Sequence, residues 1–242
     1  MSTQGCASGS RLFPIDNSAA LRRSFDVIFA LTALFLLSPL MLVVMMAIWI
    51  ETGRPILFSQ SRIGKKGRPF EMYKFRKFGT QCGVEGRPLT VGDDDRMTAV
   101  GRILLLTKLD ELPQFVNVLR GDMAIVGPRP ESLYFAECFE TEFAEILDHK
   151  PGIFGPSQVI FRHENRLYPE GDPVEFYKRV LFPAKAKIDL DYYRRRTLWS
   201  DLGWVGRAFL RICGTNWQGL TRNSSLRGFE RKLTQDRSEV RL

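Results

Sequence analysis

The sequence predicts a helix-rich α/β chain fixed to a membrane, and three observations carry that prediction. One is an uncharged run of 24 residues, Val27 to Ile50, reading VIFALTALFLLSPLMLVVMMAIWI. Another is a series of later stretches whose apolar residues recur at helical spacing. The third is a Gly-bounded, basic and aromatic piece, RIGKKGRPFEMYKFRKFG, whose alternation suits a strand.

The apolar run meets the length criterion for a membrane span and is too evenly apolar for a surface helix. It exceeds a signal-peptide core, and no small-residue cleavage site follows Ile50. Ser38-Pro39 stands at its middle, with eleven residues on either side. Proline lacks a backbone donor and crowds the preceding turn, so a kink is expected there. Each arm would be about 16 Å long, roughly half a hydrocarbon core. Both flanks are basic: Arg22 and Arg23 before, Arg54, Arg62, Lys65, Lys66 and Arg68 after. Basic flanks mark the cytoplasmic side. A helix that enters, bends and leaves by one face satisfies both flanks, and a kinked span remains the alternative.

Past the apolar run, Lys74, Arg76 and Lys77 interleave with Tyr73, Phe75 and Phe78. That pattern fits phosphate binding with base stacking, and equally a half-buried strand with a solvated basic face. Asp93, Asp94 and Asp95 lack the spacing of a calcium loop and read as a solvated turn. Met97 to Leu109 has a helical pattern. Ser132 to His149 reads as one amphipathic helix, with Phe135, Phe139, Phe143 and Ile146 as its stripe, Ser132 as its cap and Pro151-Gly152 beyond its end. Residues 172–196 are expected to be helical in two parts around Pro183. Arg194, Arg195 and Arg196 there suit either phosphate or acidic lipid, or a solvated helix end. The following SDLGWVGRAFLRICGTNW has the composition of a membrane-interface segment.

Composition narrows the partners. A 44% hydrophobic and 12% aromatic content supports a core and excludes wholesale disorder. A net charge of +8 and a pI near 9.5 favour anionic partners, acidic lipids and phosphorylated substrates among them. Cys6, Cys82, Cys138 and Cys213 show no CxxC spacing, so reduced thiols are expected, with neither zinc nor a disulfide framework.

The chemistry concentrates in KLDELPQFVNVLRGDMAIVGPRP, residues 108–130. Asp110 and Glu111 are neighbours, so on a helix they would point about 100° apart. That divergence does not suit a glycosidase pair facing one another across a sugar. Two readings remain: a nucleophile or base beside a metal ligand, or plain helix capping ahead of Leu112-Pro113.

The full spacing L-D-E-L-P-Q-x-x-N-V-L-x-G-D-M-x-x-V-G-P-R-P resembles the bacterial sugar transferase family, the monotopic phosphoglycosyl transferases. The resemblance runs from about Leu21 to Leu210. It takes in RRSFD, Ser38-Pro39, SRIGKKGRPFEMYKFRKF, VGR, KPGIFGPSQV and IDLDYY. It implies a re-entrant helix bent at Ser38 and Pro39, and a small α/β catalytic region on the cytoplasmic face of the bacterial inner membrane. It implies transfer of a sugar-1-phosphate from a nucleoside diphosphate sugar, of the UDP type, to polyprenyl phosphate, initiating surface-glycan synthesis. In that scheme Asp110 attacks the sugar-side phosphorus and carries the phosphosugar, while Asp110 and Glu111 hold Mg²⁺. Arg129, fixed between prolines, offers a planar fork to a phosphate. Lys74, Arg76 and Asp189 match motif positions and are assigned to substrate binding.

Two positions depart from the family pattern. Leu105 stands where an arginine is usual, with Arg102 or Lys108 as candidate replacements. KPGIFGPSQV differs from the common KPGITGxxQV, which turns attention to Phe154 and Pro156. The resemblance divides the chain into a polar start (1–20), a membrane helix (21–53), a catalytic region (54–215) and a polar tail (216–242), the minimal catalytic form. Anionic lipids are expected partners, and homo-oligomerisation is left open. A rival reading is a non-catalytic, membrane-tethered module that binds phosphates or nucleic acid. No RNP-like or helix-turn-helix signal supports a nucleic-acid partner.

Overall fold

The computed structural model describes residues 17–79, 96–140, 142–162, 164, 167–168 and 172–212. The acidic triplet at 93–95, Cys6, Cys82, Cys213 and the polar tail lie outside them. Cys138, half-buried, is a free thiol.

Helix α1 (Asn17–Thr52) takes in the whole apolar run and continues through Pro39. Its outward residues are strongly exposed, Phe35 at 79% and Ile50 at 73%, so no described residue covers this face. Both arms are nonetheless fastened to the rest of the chain. The first arm packs Phe25, Phe29 and Ala30 against Phe115, Val118 and Ile125, and the second packs Val44 and Ile48 against Phe75 and Leu104.

After α1, strands β1 (Leu57–Ile63) and β2 (Pro69–Phe75) form an antiparallel hairpin, with Leu57 opposite Phe75. Its turn needs positive φ at Lys66 and Gly67. Strand β2 buries Met72 and Phe75, which lie on opposite faces and enter different clusters. Lys74 and Arg76 are largely buried too, so the expected solvated basic face is corrected. Helices α2 (Ala99–Thr107) and α3 (Gln114–Arg120) bracket a short 3₁₀ turn at Leu109–Glu111. Strands β3 (Ala124–Val126) and β4 (Gly152–Phe154) then pair in parallel. Their approach is close enough to require glycine on both sides. A Cβ on Gly127 would sit 2.2 Å from the Lys150 carbonyl oxygen, and one on Gly152 would sit 2.0 Å from the Gly127 nitrogen. The VGPRP and KPG motifs are thus two faces of one contact.

The single amphipathic helix expected over Ser132–His149 is corrected to two 3₁₀ segments, Leu133–Phe139 and Ala144–Asp148. All four stripe residues are buried in one cluster with Tyr177 and Phe182. Packing therefore satisfied the apolar pattern without a continuous α-helix. Phe135 leaves helical geometry (φ −102°, ψ 18°), and the acids Glu137, Glu140, Glu142 and Glu145 offer one another no i,i+4 partners of opposite charge. The Ser132 cap is present, its side chain accepting from the Tyr134 amide.

Residues 172–196 are helical in parts, as expected around Pro183. Asp172 caps α5 (Pro173–Phe176), a π-turn covers Tyr177–Leu181, and α6 (Phe182–Tyr193) follows. The wide turn falls just before Pro183, which has no N–H for an i→i−4 bond. Helix α7 (Leu198–Ile212) buries Asp201, Val205 and Ala208 and exposes Trp199 at 83% and Phe209 at 57%. Of the arginine run, Arg196 binds both Asp201 oxygens (2.8 and 3.0 Å) and the Val126 carbonyl, and Arg194 pairs with Glu145. Those two arginines serve the fold.

Candidate active site

The site starts at the end of α2. Thr98 caps this helix by accepting from the Gly101 amide at 2.9 Å, and Lys108 ends it in the left-handed region (φ +63°). That reversal turns the following 3₁₀ residues so that Asp110 points inward, 1% exposed, and Glu111 reaches a cavity. Neither acid caps a helix: α3 opens at Pro113 with no side-chain cap. The capping alternative for the dyad therefore has no hydrogen bond to support it.

Each acid has a lysine from β2 or just beyond it. Lys77 Nζ lies 2.9 Å from Asp110 Oδ2, and Lys74 Nζ lies 3.2 Å from Glu111 Oε1. Burial disfavours the charge on Glu111, but Lys74, Lys108, Arg129 and Lys77 outweigh it and hold the carboxyl well below its usual range. Burial also lowers the Lys74 ammonium to about 8, against the pull of Glu111 and Asp110. The second oxygen of Asp110, Oδ1, is buried with no hydrogen-bond partner among the described residues.

Two devices hold these lysines in place. Asn117 of α3, fully buried, accepts from the Tyr73 amide (3.0 Å) and donates to the Glu71 carbonyl (2.7 Å), clipping β2 to α3. At such a site, losing one hydrogen-bonding group costs about 1–3 kcal/mol. Gly101 of α2 lies against the Lys77 backbone, where a Cβ would come within 2.1 Å of the carbonyl oxygen. The glycine of the VGR motif thus sets the distance between Lys77 and the dyad.

Arg129, on the Pro128-Arg129-Pro130 segment that leaves β3, lines one crevice with Lys74 and Glu111. Its guanidinium forms no hydrogen bond or ion pair with the described residues. Burial works against its charge, yet Glu164, Glu111 and Glu131 raise it above the usual arginine range. Behind it, buried Lys185 binds Glu131 (3.1 Å), Glu164 (3.2 Å) and the Tyr177 hydroxyl (2.9 Å). Breaking a buried charge set of this kind typically costs about 3–5 kcal/mol, so Lys185 fixes the acids that face Arg129.

These groups border a cavity of about 280 Å³. Five cations line it (Lys108, Arg129, Arg162, Lys185 and Arg211) against two carboxylates, Glu111 and Glu164. Its apolar wall includes Leu112, Phe154, Val159 and Phe209, and Leu37, the residue before Ser38-Pro39, also reaches it.

Of the residues singled out in the sequence, Lys74, Glu111 and Arg129 meet around one crevice, with Asp110 directly behind. Arg76 lies elsewhere: its guanidinium donates to Thr52 Oγ1 (2.5 Å) and to the Thr52 and Gly53 carbonyls, closing the end of α1. Asp189 accepts from the Ser157 amide (3.1 Å) and hydroxyl (2.8 Å), and so anchors α4 (Pro156–Ile160), whose Ser157 lines the cavity. Lys108, proposed as a stand-in for an arginine at Leu105, lines the cavity; Arg102 does not line it. Sequence reasoning missed the pairing of Lys77 with Asp110 and the Glu131–Glu164–Lys185 set. The first was visible as one more cation in YKFRK, but the second joins three distant segments and has no local signal.

A carboxylate pair held by lysines, with an arginine in the same crevice and a cation-rich cavity alongside, has the charge pattern that suits phosphate groups. The chain belongs to the bacterial sugar transferase family, whose family model matches residues 17–214. It is 35% identical over 196 residues to a UDP-N-acetylgalactosamine-undecaprenyl-phosphate N-acetylgalactosaminephosphotransferase of Aeromonas hydrophila, covering 79% of this chain and 43% of that protein. It is 37% identical over 202 residues to a UDP-glucose:undecaprenyl-phosphate glucose-1-phosphate transferase of Caulobacter vibrioides, covering 81% of this chain and 70% of that one. It is also similar to the exopolysaccharide production protein ExoY of Sinorhizobium fredii, at 33% identity over 79% of this chain and 85% of the relative. The chain thus spans less than half of the Aeromonas protein and most of the other two.

Proposed function

We propose that this chain transfers a sugar-1-phosphate from a UDP-sugar to polyprenyl phosphate at the cytoplasmic face of the bacterial inner membrane, an initiating step of exopolysaccharide synthesis. The observation that carries the reading is the lysine-held Asp110–Glu111 pair beside a cation-rich cavity that Leu37 of α1 also lines. The relatives are named for transfer of a sugar phosphate from a UDP-sugar to undecaprenyl phosphate.

In the proposed chemistry an Asp110 carboxylate oxygen attacks the sugar-side phosphorus. The bond from that phosphorus to the oxygen bridging to the nucleotide breaks, and the nucleoside monophosphate leaves. A phosphate oxygen of the acceptor lipid then attacks the same phosphorus and expels the Asp110 carboxylate. Lys74 helps keep Glu111 ionised and Lys77 pairs with Asp110 while the site waits, and incoming phosphates offer those lysines alternative partners. Arg129, with no partner among the described residues, is available to a phosphate as a two-pronged donor.

Magnesium fits this donor set. Mg²⁺ uses one or two carboxylates and completes its shell with substrate phosphates and water. Glu111 at the cavity and the unpartnered Asp110 Oδ1 supply that number, and no group of three or more metal-ligating acids, histidines or cysteines occurs among the described residues. When bound, the ion would neutralise charge that builds on the phosphates.

The membrane helix is read as re-entrant. Arg23 near one end of α1 donates to the Val118 and Leu119 carbonyls (2.6 and 2.8 Å), and Asp26 accepts from the Ile125 amide (2.9 Å). Thr52 at the other end is bound by Arg76. Two ends tied to one folded unit support a return to the same membrane face, because a full span would separate them by about 30 Å of hydrocarbon. The exposed Trp199 and Phe209 of α7 suit contact with the interface beside it.

Enzyme incubated with Mg²⁺ and sugar-labelled UDP-glucose or UDP-N-acetylgalactosamine, without lipid, should acquire label on the peptide carrying Asp110. Asp110→Asn should abolish the label. UMP release that requires polyprenyl phosphate, with the protein never labelled, would replace the covalent route by direct transfer.

A further inference from the structure

The proposed chemistry uses the cations around the dyad and leaves two cavity-lining arginines without a task. Arg162 follows α4, and Arg211 stands in the last turn of α7. They come from separate elements and line one cavity, and the Arg211 charge adds to burial in lowering the Arg162 pKa, against the pull of Glu111. Arg162 donates to the Leu106 carbonyl at 3.3 Å. The Nε of Arg211 is buried with no hydrogen-bond partner, and its guanidinium has no ion pair among the described residues. Neither guanidinium has an ion pair among the described residues, and one carries an orphaned buried donor. An anion between them would relieve both costs.

We infer that Arg211 and Arg162 form the site that holds the phosphate of the lipid acceptor, with the lipid chain leaving between α7 and the middle of α1. This inference rests on the transfer reaction proposed above and adds the acceptor's binding residues to it. The donor's phosphates have other cations available, since Lys74 and Arg129 share a second crevice with Glu111 that neither Arg162 nor Arg211 lines. Arg211, by contrast, neighbours Phe209, which lines the cavity and is also 57% exposed on the apolar side of α7. Leu37 reaches the same cavity from α1, whose adjacent Phe35 and Leu36 are exposed. A charged pair next to apolar residues that continue onto an uncovered apolar surface matches a ligand with a phosphate head and a hydrocarbon tail. Glu111 lies close enough to influence Arg162, so a phosphate held there would stand near the dyad.

The test uses the full chain in nanodiscs and separates the two substrates. Arg211→Gln should raise the KM for polyprenyl phosphate roughly tenfold or more, as expected for loss of a charged hydrogen bond. The KM for the UDP-sugar and the lipid-independent release of UMP should stay within about twofold. Arg211→Lys should recover part of the loss, which guards against a folding defect. A second arm needs no turnover: in the Asp110→Asn background, native mass spectrometry compares binding of polyprenyl phosphate and uncharged polyprenol. Arg211→Gln should weaken the first and spare the second. Equal loss of both, a rise in the UDP-sugar KM in place of the lipid KM, or unchanged values throughout would overturn the assignment. Should the wild type turn over no UDP-sugar, the transfer reading fails, and the binding arm still decides whether Arg211 recognises a lipid phosphate.

Discussion

The Ser38 hydroxyl donates to the Phe35 carbonyl at 2.8 Å. That carbonyl is the one Pro39 cannot serve, since the i→i−4 bond it would receive needs an N–H that proline lacks. Serine therefore restores, within one turn, the hydrogen bond that its neighbour removes, which matters most in an apolar segment of this kind. The pair leaves α1 with a break in its ladder at mid-length and no exposed polar cost.

The first prediction concerns topology. Replacing Ser38-Pro39 by Ala-Ala restores a backbone donor and straightens the ladder, which should favour a full span. Single cysteines at positions 21 and 56, in a cysteine-free background, should label from the cytoplasmic side only in the parent. In the Ala-Ala protein one of them should become accessible from outside. Opposite-side labelling in the parent would mean that α1 spans.

The second prediction concerns the Lys77–Asp110 pair. Asp110 is almost wholly buried, and Lys77 is the one ion-pair partner recorded for it among the described residues. Lys77→Met should lower stability by about 3–5 kcal/mol by leaving a buried carboxylate unpaired. Adding Asp110→Asn should restore much of that loss, giving a coupling energy above about 1 kcal/mol in thermal unfolding. Additive effects would mean that the lysine acts elsewhere.

Much of this arrangement was legible in the sequence because it is local. The apolar run, the strand over the basic and aromatic stretch, and the dyad with its Pro-Arg-Pro all lie within short stretches. Burial of Phe135, Phe139, Phe143 and Ile146 was legible too, but their backbone was not. Apolar spacing reports which residues turn inward, and two 3₁₀ segments meet that demand as well as one α-helix. Roles decided by long-range pairing were the least legible. The motif positions of Arg76 and Asp189 carried no sign that one would close α1 and the other would anchor Ser157. In RRSFD only the charge was evident, whereas Arg23 and Asp26 bind backbone groups about a hundred residues away.

The third prediction concerns Arg129. Its neighbours Glu164, Glu111 and Glu131 favour its charge, and no described residue occupies its donors. Arg129→Lys keeps the charge but loses the planar fork, so kcat/KM for the UDP-sugar should fall about tenfold to a hundredfold while the melting temperature moves little. Unchanged kinetics would remove Arg129 from the site.

The fourth prediction is a pH dependence set by Asp189. Burial raises its carboxyl from 3.8 to about 7, although the hydroxyl and amide of Ser157 and the charge of Lys185 pull it down. In the unfolded chain the group loses its proton near 3.8, and in the folded protein near 7. Between those values the folded state keeps a proton that the unfolded state has released, so this contribution to stability falls as pH rises through the window. Above about pH 7 both forms are ionised and the penalty is constant, at most about 4 kcal/mol. Asp189→Asn cannot ionise. Its melting temperature should therefore gain on the parent between about pH 5 and 7 and run parallel to it above that. The variant also loses one acceptor for Ser157, so it should start below the parent at pH 5. A constant offset across the range would show that Asp189 does not titrate in this window. A raised UDP-sugar KM with no change in the melting curves would return Asp189 to direct substrate binding.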